Sequence, residues 1–253
     1  MKERRYKKPP IIEAVCQIKF DDTFSWDHTI PGMLYERLSK SYPKKSRRSI
    51  QEARINQEGN EIKQDIYIID GSLFMSDDNR DTVFIAPGVL AVSRLAPYHS
   101  WQQFKPKIAN TISELTEIIS ETPRVQNIIL QYINHIKIPQ ENVELDEYFA
   151  FRPYVGPDLP QKLLSFFLGC LFDASDNCQL RVELAPPPPG QAEDQTLKHV
   201  VLRLVLSCQS LNPVLFSKED ILGWIDTAHC RVVETFEGCI TDSLRAIFEE
   251  EKP

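Results

Sequence analysis

Between residues 54 and 95 the chain is cut into short runs of alternating apolar and polar side chains, each closed by turn formers. This punctuation constrains the fold more than any other feature. Residues 54–56 precede Glu58-Gly59-Asn60, residues 62–69 run to Asp70-Gly71, and residues 73–75, 82–86 and 89–95 follow in quick succession. A period of two marks a half-buried strand. Connections this short permit antiparallel pairing only, because parallel neighbours need a crossover of a dozen or more residues. The spacing therefore predicts an antiparallel meander, with Asp70-Gly71 read as one of its turns.

The flanks complete a plan. Residues 10–20 alternate as a strand after the Pro9-Pro10 step, and residues 31–41 read as a helix with Pro31 early and Met33, Leu34 and Leu38 inward. A longer helix over about 101–120 carries Phe104, Ile108, Ile112 and Leu115 on one stripe, suited to covering one face of a sheet. The second half reads in the same order. It has a strand over 127–138, a short piece at 145–149, strands at 163–172 and 179–184 around a turn at 173–177, a polar excursion from Pro186 to Gly190, and a strand at 200–208. Ser217-Lys-Glu-Asp220 then opens a helix with a capping-box shape, interrupted in prospect by Gly223 and Gly238.

Two alignments suggest that the halves are copies. Phe104, Ile108, Thr111, Ile112 and Leu115 match Phe236, Ile240, Ser243, Leu244 and Ile247 at an offset of 132 (236 minus 104), and residues 15–20 match 133–138 at an offset of 118. The expected class is α+β: two related modules, 1–122 and 123–253, each an antiparallel sheet backed by a long helix, in a pseudo-twofold arrangement.

Several of these residues carry a resemblance. Tyr6-x-x-Pro9-Pro10-Ile11-x-Glu13-Ala14-Val15, Tyr98-x-x-Trp101, Tyr132-Ile133-Asn134 and Phe236-Glu237-x-x-Ile240-Thr241-Asp242 look like a sporadically distributed prokaryotic family of about 250-residue proteins of unassigned function. The resemblance spans nearly the whole chain. Such a family often places arginines beside the Tyr-x-Asn strand, where Gln131 and His135 stand here. Its patchy occurrence implies a defence-associated setting, including accessory genes near CRISPR loci.

Charge divides the chain. Residues 1–54 hold 13 Lys/Arg against 7 Asp/Glu, and the remainder 16 against 29, which gives the formal −7. The basic part holds Lys2, Arg4, Arg5, Lys7 and Lys8, then Lys40, Lys44, Lys45, Arg47 and Arg48. The second cluster is the candidate partner-binding surface. It fits an acidic protein partner, or nucleic acid through phosphate neutralisation together with the 1–8 and 40–54 segments. Glu249-Glu250-Glu251 reads as a solvated helix end. No apolar run approaches the roughly 18 residues of a membrane span, and the charged start lacks a secretory apolar core, so a cytoplasmic chain without membrane contact is expected.

Catalytic and metal patterns are faint. The six cysteines form no C-x-x-C pair and read as reduced core residues, with Cys230 alone flanked by His229 and Arg231. The five histidines form no H-x-x-x-H, so neither a metal nor a cofactor is implied. Trp26-Asp27-His28 and Asp226-x-x-His229 could each set a carboxylate beside an imidazole, although ordinary surface hydrogen bonds explain them too. Lys63, Asp65 and Asp70 could gather on one hairpin. Tyr98, His99 and Trp101 form an aromatic junction able to stack on a ligand or plug a partner pocket, or simply to staple the helix to the sheet. The expected function is non-enzymatic binding or regulation through another protein, with nucleic-acid binding as the alternative.

Overall fold

In the computed structural model, which describes residues 4–22, 24–58, 61–140, 143–161, 163–174, 177–188, 200–212 and 214–251, the meander widens into one large antiparallel sheet. Its strands are β1 (Ile11–Phe20), β2 (Lys44–Glu58), β3 (Glu61–Met75), β4 (Asp81–Ala86), β5 (Val89–Leu95), β6 (Arg124–Ile138), β7 (Leu168–Asp173), β8 (Cys178–Ala185), β9 (Val200–Ser210) and β10 (Val214–Leu215). The spatial order is β2-β3-β4-β5-β1-β6-β9-β8-β7, with the two-residue β10 paired to β6 off this path. The helices are α1 (Ile30–Leu38), α2 (Trp101–Thr116), α3 (Leu145–Tyr148), α4 (Lys218–Cys239) and α5 (Asp242–Ile247). The architecture is α+β, as the alternation implies. Strands β1 and β6 lie side by side at its centre, pairing Cys16 with Leu130 and Ile18 with Ile128.

Period-two alternation assigns the two faces. Ala14, Cys16, Ile18 and Phe20 of β1 and Leu130, Tyr132, Ile136 and Ile138 of β6 point to one side, where they join the buried stripe of α2 and that of α4. Residues from both halves form this single core. The other face carries Glu13, Gln17 and Lys19 of β1 and Gln131, His135 and Lys137 of β6, which stay partly accessible. A smaller apolar cluster of Leu73, Phe84, Ala86 and Val89 patches it near β4.

Several expectations need correction. Asp70-Gly71 is no turn, since β3 runs through it and pairs Gly71 with Arg48. Glycine is required there by proximity: a Cβ would sit 2.5 Å from the Phe84 ring and 2.7 Å from the Ile85 carbonyl. Met33 stands outside, and Ile30, Leu34 and Leu38 take the inward face of α1. Residues 163–167 precede β7 rather than belonging to it. Helix α4 passes Gly223 and Gly238 without a break, its Ser217 hydroxyl accepting the Asp220 amide as the capping motif requires. The stretch from Phe236 to Ile247 is not one helix. It ends α4 at Cys239, turns extended at Ile240 and restarts as α5, so its match to α2 does not correspond to one matching helix. Finally, Cys178 and Cys208 are joined as a disulfide across β8 and β9, whereas Cys16 and Cys239 are buried thiols whose pKa burial pushes up to about 12.

Among the described residues, no helix is long and apolar enough to cross a membrane.

Candidate functional site

Residues 4–8 lie against the segment after α5: Lys7 and Lys8 amides donate to the Glu249 and Phe248 carbonyls, and the Glu251 amide donates to that of Arg5. Charge reinforces the contact. Arg4 pairs with Glu250 at 3.0 Å and approaches Glu237 at 3.8 Å, while Lys8 pairs with Glu249, holding that carboxyl below its ordinary pKa. The acidic tail follows α5 and stays exposed, and it is also the counterpart of the basic start. Tyr6 anchors the strap: its hydroxyl donates to Glu237 at 2.7 Å, and its ring meets Phe248 edge-on. Burial and the neighbouring Glu237 carboxylate push the Tyr6 phenol well above its ordinary pKa. Glu237 also receives Arg245 at 3.0 Å.

Beneath this strap, between the start of α2 and the outer half of α4, lies a cavity of about 660 Å³. Its inner wall is a linked set of rings. The Tyr98 and Tyr132 hydroxyls are 3.2 Å apart, and Tyr132 bonds His229 Nδ1 at 2.7 Å. The Trp101 indole lies flat on the His229 imidazole, 4.5 Å between centroids and 9° from parallel. The indole N–H donates to Asp226 at 3.0 Å, and Lys105 grips the second oxygen of that carboxylate at 2.6 Å. Asn134, buried next to Tyr132 on β6, donates to the Leu204 carbonyl. A polar side chain this deep must be bonded to persist. The Tyr132–His229 bond ties β6 to α4, and the bonds of Trp101 and Lys105 to Asp226 tie α2 to α4.

The sequence candidates fare differently. Tyr98, His99 and Trp101 all line the cavity, so the aromatic junction is a place in the fold. Trp101 and Phe104 are also buried at the start of α2, which makes the staple and the cavity wall one structure. The Asp226–His229 pairing is redirected, since Asp226 turns to Trp101 and Lys105 and the imidazole turns to Tyr132. Asp27 accepts the Thr29 amide ahead of α1, a bond that lowers its pKa. Cys230 is exposed on α4.

Lys40, Lys44, Lys45, Arg47 and Arg48 are exposed but do not make one patch. Strand alternation sends Lys45 and Arg47 to the helix side and Lys44 and Arg48 to the other. Lys44 is bonded to the Asp77 carbonyl and Asn79, and Lys45 caps the Tyr35 ring. Arg48 faces Glu13, a carboxyl raised above its ordinary pKa by burial despite Ser93, Arg48 and Arg203 nearby. The side chains of Lys63 and Asp65, and residues 189–199 of the polar excursion, lie outside the described residues. No group of three or more His, Cys, Asp or Glu placed to hold a metal occurs among the described residues.

Sequence reading missed the Tyr132–His229 bond and the strap. A buried tyrosine and histidine 97 residues apart leave no local trace, but the opposed charge of the two chain ends was a usable signal. No family model, curated protein or solved structure matches the chain.

Proposed function

We propose that the chain is a non-enzymatic binding or regulatory protein that acts through another protein, and that it receives its partner at the strap cavity. Convergence carries this reading. Tyr6, Pro9, Pro10, Tyr98, Trp101, Tyr132, Asn134, Phe236 and Glu237, which belong to four separate segments of the resemblance, surround one space. Its volume falls within the roughly 300–1,000 Å³ of sites that enclose a drug-sized ligand, and rings with a polar rim are what buried anchor side chains of a partner require. The Tyr132–His229 and Trp101–Asp226 bonds hold those rings before anything binds, which reduces the ordering cost of association. The defence-associated, CRISPR-type setting implied by the resemblance belongs to the same proposal.

So does the two-module reading, in a pseudo-twofold arrangement. Its support is strand order: β5, β4 and β3 extend from β1 as β9, β8 and β7 extend from β6, with α2 and α4 following β5 and β9 in the chain. The test of function is capture from the native host. A Gln103→Trp change at the exposed rim, which fills the cavity mouth without touching the core, is expected to reduce partner retention at least tenfold. Reversing Lys44, Lys45, Arg47 and Arg48 is expected to leave it unchanged. Retention indifferent to the rim change would remove the cavity from the account.

Nucleic-acid binding is the second reading, favoured by Lys19, Arg48, Lys137 and Arg203 on the helix-free face. Four phosphate contacts would give a log–log salt slope of about −3.6, whereas an apolar protein interface changes little with salt.

A further inference from the structure

The two edges of the sheet are unlike. The β2 edge carries seven charged residues in fifteen, four of them Lys or Arg before Ser49, the usual protection of an exposed strand against pairing. The β7 edge has no such protection. Its sequence Leu-Gly-Cys-Leu-Phe-Asp holds one charge, at the last position, and no strand lies beyond it among the described residues. Apolar exposure concentrates in β7 and the chain leading into it. Of eleven large apolar side chains standing exposed among the described residues, seven lie between Tyr154 and Phe172, including Leu164 at 90%, Phe167 at 68% and Leu171 at 66%. Exposed apolar side chains gathered in one segment at a sheet edge mark an interaction surface.

We infer that β7 is the dimerisation edge of this protein, pairing antiparallel with β7 of a second copy. The register follows from geometry. A two-fold axis that makes two copies of one strand antiparallel runs perpendicular to the sheet, so both copies keep their helices on the same side. Directly opposed residues share a face, and their numbers must therefore sum to an even value. Centring the axis on Cys170 sets Leu168 opposite Phe172 of the copy on the core face. On the other face it sets Gly169 opposite Leu171.

Three observations favour a second copy as occupant. The Phe167 ring lies over Gly169 and is itself largely exposed, so the copy's Leu171, set opposite Gly169, would pack against an apolar surface. The two Asp173 carboxylates fall six residues apart, on the order of 20 Å, beyond the roughly 8–10 Å over which charges interact at ordinary salt. If pairing covered the exposed parts of Leu163, Leu164, Phe167, Leu171 and Phe172 in full, each copy would contribute on the order of 600 Å², and two copies would reach the lower end of the roughly 1,200–2,000 Å² of stable interfaces.

Sedimentation velocity on the whole chain tests this, with cysteine cross-linking as an independent readout. The wild type is expected at twice the monomer mass, and Leu171→Lys, at an exposed position that leaves the fold intact, should raise the dimer dissociation constant at least tenfold. Opposed strand residues have Cα atoms about 4.5–5.5 Å apart, within the range a disulfide spans. Copper-phenanthroline oxidation of a Cys230→Ser protein should therefore give a covalent dimer that Cys170→Ser abolishes. A wild type that sediments as a monomer overturns the inference and leaves the edge to a strand of some other protein. A dimer that survives Leu171→Lys and fails to cross-link at Cys170 also overturns it, because its interface lies elsewhere.

Discussion

Asp81 illustrates how much one buried charge can organise. Only 5% exposed at the start of β4, it accepts Arg94 from β5 and Lys107 from α2 on the same oxygen, both at 2.6 Å. Removing the carboxylate strands two cations under α2. Asp81→Ala is therefore expected to cost about 3 kcal/mol in urea unfolding, the usual penalty for breaking a buried pair from one side. Glu13 behaves in the opposite way. Its folded-state pKa lies above the ordinary 4.5 because burial penalises the charged form. A raised value means that the site favours folding below the unfolded pKa, and that this contribution is lost as pH rises through the folded one. Glu13→Gln should raise the melting temperature near pH 7, with the difference shrinking toward pH 4. An equal shift at both values would exclude this origin.

At the scale of elements, α4 was legible as a helix start and obscure as a helix. The Ser217 cap is written locally, because a hydroxyl three residues before an early amide is enough. The helix continues through Gly223 and Gly238 because the Ile221, Ile225, Ala228 and Val232 stripe packs on β6 and β9, and burial outweighs a loss of about 1 kcal/mol per glycine. Gly223 meets nothing within 4 Å where a Cβ would stand. Gly223→Ala should therefore stabilise by about 1 kcal/mol, measurable as a shift in denaturation midpoint. Asp70-Gly71 misleads for the converse reason. Turn chemistry is a local preference, and at Gly71 the Phe84 ring on the neighbouring strand decides what fits.

For the whole molecule, the opposed charge of the chain ends is the feature with the widest reach. Arg4 and Lys8 meet Glu250 and Glu249, which brings the two termini together and makes the strap a wall of the cavity. Reversing Arg4 and Lys8 to Glu should release it. Hydrogen exchange at the Lys7, Lys8 and Glu251 amides would then accelerate, while amides of β1 and β6 keep their protection and the melting temperature falls by no more than a few degrees. Uniform acceleration would mean that the strap is part of the cooperative core.

Alternation, turn residues and short connections determined by themselves that this chain makes an antiparallel sheet backed by amphipathic helices, because each signal acts over a few residues. The aromatic junction at Tyr98, His99 and Trp101 was visible in the same way. Which rings face it, that Asp226 answers Trp101 rather than His229, and that the chain's start closes over its end were decided only in three dimensions. Those contacts join residues separated by 97, 125 and more than 200 positions, and no local pattern encodes a partner that far along the chain.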